Sequence, residues 1–160
     1  MTRALQGSSV ASRINESIPG AATDSNQTDV WVSPQSILEV ATFLNGDDAL
    51  DFSFLTSITS IDYIEYFELV YRLLSMRNNH SVVIKSRCYG REDLSVSSVT
   101  SIWQGADFQE REVWDLMGIR FDGHPNLKRI LLWEGFPGHP LRKDYLGQDG
   151  EMQRPEDLDV

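Results

Sequence analysis

The sequence contains a single cysteine, Cys88, among its 160 residues. One thiol cannot form an internal disulfide, and it cannot provide the set of thiolates that an iron–sulfur cluster or a structural zinc ion requires. Long apolar runs are also missing: the longest is Ile130–Trp133, whereas a membrane-spanning helix needs about 20 residues. These absences exclude a disulfide scaffold and a metal–thiolate protein, and they make any membrane association indirect.

An excess of basic residues is missing as well. The formal net charge is −10, which argues against nucleic-acid binding and against direct binding to anionic lipid, because both require a basic surface. The charge is unevenly spread, since residues 106–145 carry 6 basic and 7 acidic residues. That nearly neutral stretch can approach another protein without strong repulsion.

Three sequence motifs of common catalytic sites are absent. The chain has neither G-x-G-x-x-G nor the G-x-x-x-x-G-K-[ST] loop that cradles phosphates, and it has no G-x-S-x-G nucleophile elbow. Cys88 falls within a predicted strand, where a small buried thiol is the usual role of a free cysteine. The sequence therefore predicts no catalytic residue, cofactor-binding residue or metal ligand in this chain.

The composition is that of a folded protein, with 41% apolar and 10% aromatic residues. Residues 1–29 are rich in Ser, Asn, Thr, Gln, Gly and Ala without an apolar period, so we expect a flexible leader. Ser33-Pro34 is typical of a helix start, and apolar residues then recur at helical spacing until Asn45-Gly46. The pattern predicts a helix over roughly 34–45.

The middle of the chain is rich in β-branched and aromatic residues. It predicts three strands, Leu50–Ile61, Tyr63–Leu74 and Ser81–Tyr89, with a turn at Asn78-Asn79 because asparagine tolerates positive φ. A second helical region begins at Val99, and a further helix over about 107–117 ends at Gly118. We expect a small two-layer α+β domain over 30–121, with a mixed or antiparallel sheet plus helices.

Beyond Gly118 regular patterns become scarce. A short strand at 119–121 and a turn at 122–125 are predicted, and residues 134–160 show no convincing element. A stretch that long without structure is unusual inside a compact domain. We therefore expect residues 122–160 to form an extended C-terminal arm that gains order by lying against a partner.

Glu110 is the unusual residue of the helix 107–117. At 100° per residue it shares an apolar face with Val113 and Trp114, whereas Glu112 and Asp115 lie on the far side. A buried carboxylate must be paired or it carries a desolvation cost. Two interpretations remain open: Glu110 forms a capping box with Asp107, or it pairs with an arginine or lysine from residues 128–143.

The arm mixes bulky apolar, proline and basic residues, as interfaces often do. An ordinary surface loop would have a similar composition. If the arm binds a partner, the candidate contact residues are Leu127, Arg129, Leu131, Trp133, Leu141, Arg142 and Tyr145.

A metal site is the competing interpretation of the same region. His124 and His139, with Asp122, Glu134 and Asp144, have the side chains that zinc or iron binds. The gap between the histidines is no recognised ligand spacing, and each histidine precedes a proline. Turn residues that pack locally explain this pattern better.

Residues 106–145 contain several short motifs at fixed spacing. They begin with Glu110, Arg111, Glu112, Asp115 and Gly118, and they continue with Gly123-His124-Pro125, Leu127, Arg129-Ile130-Leu131 and Pro140-Leu141-Arg142-Lys143-Asp144-Tyr145. With these residues the stretch resembles the signature of the C subunit family of the proton-pumping NADH:quinone oxidoreductase, respiratory complex I, a family that includes the chloroplast and cyanobacterial J subunit. Trp133 stands where many relatives have proline, and Phe108 where many have tryptophan.

The resemblance implies a non-catalytic subunit in the hydrophilic arm of the complex, in its quinone module. NADH, FMN, iron–sulfur clusters and quinone would belong to the assembled complex and not to this chain. The partner would be the hydrogenase-like large subunit of the quinone module, and the location would be peripheral, on the cytoplasmic side of the membrane or its matrix or stromal equivalent. Membrane-bound hydrogenase or ferredoxin-dependent complexes contain a related subunit, so that assignment remains an alternative.

Overall fold

A mixed β-sheet forms the centre of the chain in a computed structural model that describes residues 2–147. The strands are β1 Arg3–Ala4, β2 Ala22–Ser25, β3 Asp29–Val32, β4 Phe54–Asp62, β5 Tyr66–Ser75 and β6 His80–Tyr89. The order β2-β3-β6-β5-β4 runs across the sheet, and β1 also pairs with β6. Strands β4, β5 and β6 are antiparallel, whereas β1 and β3 run parallel to β6. The predicted α+β fold with a mixed sheet is confirmed.

Helices pack on one face of this sheet. They are α1 Gly7–Ser17, α2 Ile37–Gly46, preceded by a 3-10 turn at Pro34–Ser36, and α3 Ala106–Met117. Alternate residues of β5 point into this layer, because side chains alternate along a strand. Strands β7 Ser95–Ser97 and β8 Arg120–Asp122 form a small parallel pair. The buried core on this face includes Leu44, Phe52, Phe67, Leu69, Leu73, Val99 and Trp103.

The three predicted central strands are confirmed, with shifted ends. Asn79 has φ 52° in the turn between β5 and β6, as its residue type suggested. Strand β4 begins at Phe54 and not at residue 50, because Asp51 has φ 45° and the amide of Leu50 bonds to the Asp47 carbonyl. A local turn thus replaces the first residues of the predicted strand.

The expectation of an unstructured leader over residues 1–29 is wrong. Helix α1 buries Val10 and Ile14, four residues apart, and strands β2 and β3 extend the sheet. Gly7 lies so close to the chain that an added Cβ would be 2.5 Å from the carbonyl oxygens of Asn26 and Asp29. The apolar pair was too sparse to indicate a helix, and tertiary packing rather than intrinsic propensity stabilises this segment.

The helical region predicted to begin at Val99 is a single turn. The amides of Ile102 and Trp103 both bond to the Val99 carbonyl, and the chain then turns into α3. The indole of Trp103 donates to the carbonyl of Phe52 at 3.0 Å. Burial of Trp103 against the core, rather than helix continuation, fixes this segment.

The predicted arm over residues 122–160 is described only up to residue 147, and its last part lies outside the described residues. After β8 its described part contains no helix or strand, as expected. It nevertheless packs against the chain's own α3 and β4, and Phe136 is buried. For residues 123–147, the expectation that order comes only from a neighbour is therefore wrong.

Candidate functional site

Asp115 of α3 organises the start of the arm. Its Oδ1 accepts a bond from Arg129 Nη1 at 2.7 Å, and its Oδ2 accepts the amides of Ile130, Leu131 and Leu132 at 3.0, 2.8 and 3.0 Å. The carboxylate is fully buried. Burial alone would raise the pKa of Asp115, but the amides and the guanidinium outweigh it and hold the pKa below its usual value. The helical period places Asp115 on the far side of α3 from Val113, and the arm is what covers that side.

Arg129 connects Asp115 to the next part of the arm. Its Nη2 donates to the carbonyls of Phe136 at 2.7 Å and Gly138 at 3.1 Å. The ring of Phe136 packs edge-on against Trp133 at 4.7 Å between centroids and lies 6.4 Å from Tyr145. Three predicted partner contacts, Arg129, Trp133 and Tyr145, thus take part in folding the arm on its own domain.

Gly118 ends α3 and also makes room for the arm. It has φ 78°, a conformation that favours glycine, and an added Cβ would be 2.6 Å from Cδ2 of His139. His139 Nδ1 is hydrogen-bonded to the carbonyl of Asp115 at 2.9 Å. Its ring lies edge-on to Trp114. The glycine is therefore required both for the helix end and for the close approach of His139.

Glu110 forms neither of the two pairs considered from the sequence. Its Oε2 accepts a bond from Ser98 Oγ at 2.6 Å, and its Oε1 accepts the amide of Val99 at 2.8 Å. Both predicted interpretations are wrong, because α3 begins without a side-chain cap and the arm's arginine pairs with Asp115 instead. Burial raises the pKa of Glu110, and the two hydrogen bonds only partly oppose it.

Arg111 joins α3 to the arm on a second side. Its Nε donates to the carbonyl of Lys128 at 3.1 Å and its Nη2 to that of Arg129 at 3.0 Å. Its guanidinium also lies 5.7 Å from the ring of the exposed Phe108. Glu112 is exposed. Among the motif residues of α3, Arg111 and Asp115 are therefore buried anchors of the arm, whereas Glu112 is exposed.

A second buried carboxylate, Asp62 at the end of β4, holds the far part of the arm. Arg91 binds it through two bonds, Nη1 to Oδ1 at 2.6 Å and Nη2 to Oδ2 at 2.8 Å. The amide of Lys143 donates to Oδ2 at 2.8 Å, and that of Ile64 to Oδ1 at 2.7 Å. Arg91 also pairs with Asp144 at 2.8 Å. The Arg91 guanidinium is the main reason that the pKa of Asp62 lies far below its usual value.

Arg142 completes this second cluster. It donates from Nη2 to the carbonyl of Arg91 at 2.8 Å and from Nε to Asp144 at 3.0 Å. Sequence reasoning missed Asp62 and Arg91, because both lie outside the recognised stretch. The only local feature that could have indicated Asp62 is its position two residues before Ile64, whose amide it accepts. That spacing is typical of an Asx turn.

Some of the predicted partner contacts remain exposed. Leu131 is 61% and Leu141 55% exposed, although Leu141 donates its amide to the carbonyl of Leu116. Leu127, in contrast, is partly buried against the core. Ile130 and Leu146 are two further exposed apolar residues of the arm. The clusters of Asp115 and Asp62 thus hold an arm in which Leu131 and Leu141 are exposed.

The residues of this chain do not fit an iron–sulfur cluster. The one thiol, Cys88, is buried in β6, and burial raises its pKa to about 11, which disfavours the thiolate. An iron–sulfur cluster needs several cysteine thiolates. Among residues 2–147, no three His, Cys, Asp or Glu side chains gather so as to hold a metal ion.

The two histidines of the alternative metal site have local partners. His124 Nε2 lies 3.1 Å from the carbonyl of Asp107, and its Nδ1 accepts the amide of Asn126 at 3.0 Å. His139 is bonded to Asp115 as described above. Asp122 and Asp144 bond to Ser95 and to arginines instead. The five residues considered for a metal are therefore not brought together.

In the part of the chain that the structure describes, no helix has the length and apolar character needed to cross a bilayer.

Comparisons with known proteins identify relatives of the whole domain. The chain is 41% identical over 148 residues to the NADH-quinone oxidoreductase C subunit of Roseiflexus castenholzii, covering 88% of this chain and 84% of that protein. It is 46% identical over 117 residues to the C 2 subunit of the enzyme of the same name from Rhizobium meliloti, covering 71% and 63%. It is 42% identical to the mitochondrial NADH dehydrogenase [ubiquinone] iron-sulfur protein 3 of Candida albicans, of which it spans 42%.

A solved structure supports the fold independently. A chain of the membrane-bound sulfane sulfur reductase, an archaeal respiratory membrane complex, matches with a TM-score of 0.64 at 19% identity, covering 96% of this chain and 99% of that one. The family described as respiratory-chain NADH dehydrogenase, 30 Kd subunit, matches residues 30–151. That range includes most of the sheet, α3, the clusters of Asp115 and Asp62 and the described arm. The chain therefore belongs to the 30 kDa subunit family of the respiratory-chain NADH dehydrogenase, which includes the C subunits of the bacterial NADH-quinone oxidoreductases.

Proposed function

We propose that the chain is a non-catalytic structural subunit in the quinone module of the hydrophilic arm of a proton-translocating NADH:quinone oxidoreductase. Electrons would pass from NADH through FMN and iron–sulfur clusters to quinone in neighbouring subunits. The identity of over 40% to subunits named for this reaction supports the proposal. The chain has one buried thiol, whereas an iron–sulfur cluster needs several cysteine ligands. This difference supports a structural role within the complex.

The outward leucines of the arm are the observation that carries a docking role. The buried carboxylate of Asp115 fixes three successive amides, so Ile130 and Leu131 are held outward in one conformation. Leu141 is exposed beside Leu116 and Met117 at the outer side of β4. An ordered apolar surface loses little conformational entropy on binding. The partner we propose is the hydrogenase-like large subunit of the quinone module, on the cytoplasmic side of the membrane or its matrix or stromal equivalent.

A second candidate function has a specific observation in its favour. The alternative is the equivalent subunit of a related membrane-bound hydrogenase or ferredoxin-dependent complex, and a chain of another membrane complex, an archaeal sulfane sulfur reductase, has the same fold. At 19% identity that similarity concerns the fold alone. The neighbouring genes discriminate between the two functions, since genes for NADH-binding subunits support the first and genes for nickel-site subunits the second.

The docking role is tested by Leu131→Ser with Leu141→Ser in the full chain, co-expressed with the other quinone-module subunits. Both side chains are more than half exposed, so we expect the variant to fold normally but to co-purify with the large subunit in much lower yield. Phe54→Ser is the matched control, because Phe54 is 50% exposed at the other end of β4. Full recovery of the double variant would contradict the docking role of the arm.

A further inference from the structure

Two hydroxyl groups connect the buried carboxylate of Glu110 to the surface of the chain. Ser98 Oγ lies 2.6 Å from Glu110 Oε2, and Thr100 Oγ1 lies 2.8 Å from Ser98 Oγ. Glu110 and Ser98 are buried, whereas Thr100 is half-buried. We call Ser98 and Thr100 the hydroxyl chain. Its outer end opens into a surface cleft lined by Thr100, Ser101, Gln104, Asp107, Gly123 and Pro125.

The contacts of Glu110 do not by themselves require an acid. A glutamine would accept the amide of Val99 and donate to Ser98 Oγ, and it would bring no charge into the interior. Among residues 2–147 no arginine or lysine pairs with Glu110, so its ionised form has a desolvation cost that an amide avoids. What distinguishes the acid from the amide is that it binds and releases a proton.

The hydroxyl chain accommodates both charge states of Glu110. When the carboxylate is charged, Ser98 donates to Oε2 and Thr100 donates to Ser98. When Oε2 carries a proton, both hydroxyls turn and donate toward the cleft, because a hydroxyl both donates and accepts. Either hydroxyl can be the donor in the bond between Ser98 and Thr100. Oε1 is not the protonated atom, because it faces the amide of Val99.

The other titratable groups that interact with Glu110 offer no route to water. The His124 side chain is inaccessible to solvent, and its two ring nitrogens bond to the carbonyl of Asp107 and to the amide of Asn126. The carboxylate of Asp107 lies 3.4 Å from His124 Nε2. Among residues 2–147 the hydroxyl of Tyr71 in β5 has no hydrogen-bond partner. Burial and then the charge of Glu110 raise the pKa of Tyr71 well above its usual value, so Tyr71 keeps its proton.

The surroundings of Glu110 also favour its neutral form. Burial is the main reason that the pKa of Glu110 is raised, and the charge of Asp107 adds to it. The bonds from Ser98 and Val99 and a positive charge on His124 act in the opposite direction. Glu110 therefore changes its charge at a pH closer to neutral than an exposed glutamate does.

We infer that Ser98 and Thr100 form a path by which Glu110 exchanges a proton with water in the cleft. In each uptake a proton passes from water to Thr100 Oγ1, while the hydroxyl proton of Thr100 passes to Ser98 Oγ. The hydroxyl proton of Ser98 then passes to Glu110 Oε2. No bond between heavy atoms changes, and the net reaction adds one proton to Glu110. The path goes beyond the proposed function, because it needs no partner.

The test is Thr100→Val in the full chain, since valine has the shape of threonine without the hydroxyl. Magnetic resonance of isotope-labelled carboxyl groups gives the titration midpoint of Glu110, and relaxation dispersion gives its rate of proton exchange. Glu110→Gln identifies the signal by removing it. Thr100 is not bonded to Glu110, so we expect the exchange rate to fall by at least about ten-fold while the midpoint changes little. Thr100→Ser keeps the hydroxyl and should exchange as fast as wild type.

Ser101→Ala is the matched control, because Ser101 lines the same cleft but takes part in neither bond of the path. Thr100→Ala removes the hydroxyl without adding a methyl group, and thermal unfolding shows that each variant is folded. Unchanged exchange in Thr100→Val and Thr100→Ala would overturn the path, and so would equal slowing in Ser101→Ala. A slower rate that a shifted midpoint fully explains would assign Thr100 a structural role only, with the same consequence. None of these outcomes affects the proposed function.

Discussion

Asp115 and Glu110 occupy the same helix and are both fully buried, but their surroundings act on them in opposite ways. Asp115 receives a guanidinium and three amides, so its charged form is stabilised. Glu110 receives one hydroxyl and one amide, and among residues 2–147 no arginine or lysine pairs with it, so burial dominates. The number and charge of the donors decide which carboxylate carries the arm.

For Asp115→Asn we expect the free energy of unfolding to fall by about 3 kcal/mol, because one partner of a buried ion pair is removed. The amide side chain also replaces one acceptor by a donor facing the arm. Urea denaturation measures the change, with Glu112→Gln as the control. Glu112 is an exposed carboxylate one turn from the same site, and its variant should stay within about 0.5 kcal/mol of wild type. Equal stability of the two variants would show that Asp115 does not anchor the arm.

Glu110 gives a prediction of pH dependence. Its folded-state pKa is raised, so between its unfolded and folded pKa values the native state binds more protons than the unfolded state. Stability from this group is therefore largest below the unfolded pKa, about 4.3, and is lost as pH rises through the folded pKa. Glu110→Gln should remove this loss while keeping both hydrogen-bonding positions filled. Unfolding free energies measured across this pH range should decline less for the variant, and identical slopes would contradict the assignment.

At the scale of elements, α1 is a helix that its own sequence hardly supports. It has no side-chain cap, no acidic residue in its first turn and no basic residue in its last turn. Its stability must come from burying Val10 and Ile14 and from the approach of Gly7 to the loop before β3. The pairing of β1 and β3 with β6 then makes the N-terminal segment part of the sheet.

Ile14→Ala tests whether this segment belongs to the domain. Ile14 is completely buried, and loss of a buried isoleucine side chain costs about 2–5 kcal/mol. We expect one cooperative unfolding transition shifted by that amount, measured by urea denaturation. Glu16→Ala, an exposed change in the same helix, should have little effect. A wild-type-like transition for Ile14→Ala would mean that α1 is a removable leader after all.

At the scale of the molecule, the chain combines an acidic surface with one nearly neutral region. The net charge is −10, yet residues 106–145 carry nearly equal numbers of basic and acidic residues. Some of these charges form ion pairs within the chain, namely Arg129 with Asp115 and Arg142 with Asp144. These four charges are therefore neutralised within the chain.

The purified full chain should show no absorption in the visible range and no oxidation of added NADH. The physical reason is its donor set, since one buried thiol with a raised pKa cannot hold an iron–sulfur cluster. Spectra of the chain before and after incubation with iron and sulfide are the measurement. Spectra of a reconstituted complex provide the positive control. A chromophore in the lone chain would overturn the structural role.

Residue types and spacing within short segments were enough to predict the central strands, α3 and the family. The turn at Asn79 and the helix end at Gly118 follow from residues that tolerate positive φ, which is a property of each residue by itself. The family resemblance could be read because many residues recur at fixed spacing over about 40 positions, whatever they contact. The alternation of β5 and the apolar period of α2 are likewise properties of short segments.

Only the tertiary structure decided which charges meet and which segments are held. Asp115 and Arg129 are 14 residues apart, and Asp62 and Lys143 are 81 apart, so no local period links them. Arg91 likewise donates to the carbonyl of Ile64 from 27 residues away. Glu110 could not be assigned for the same reason, because its partners lie in a loop that precedes the helix. Contacts between distant segments depend on how the elements pack, and a sequence pattern reports only the period of each element by itself.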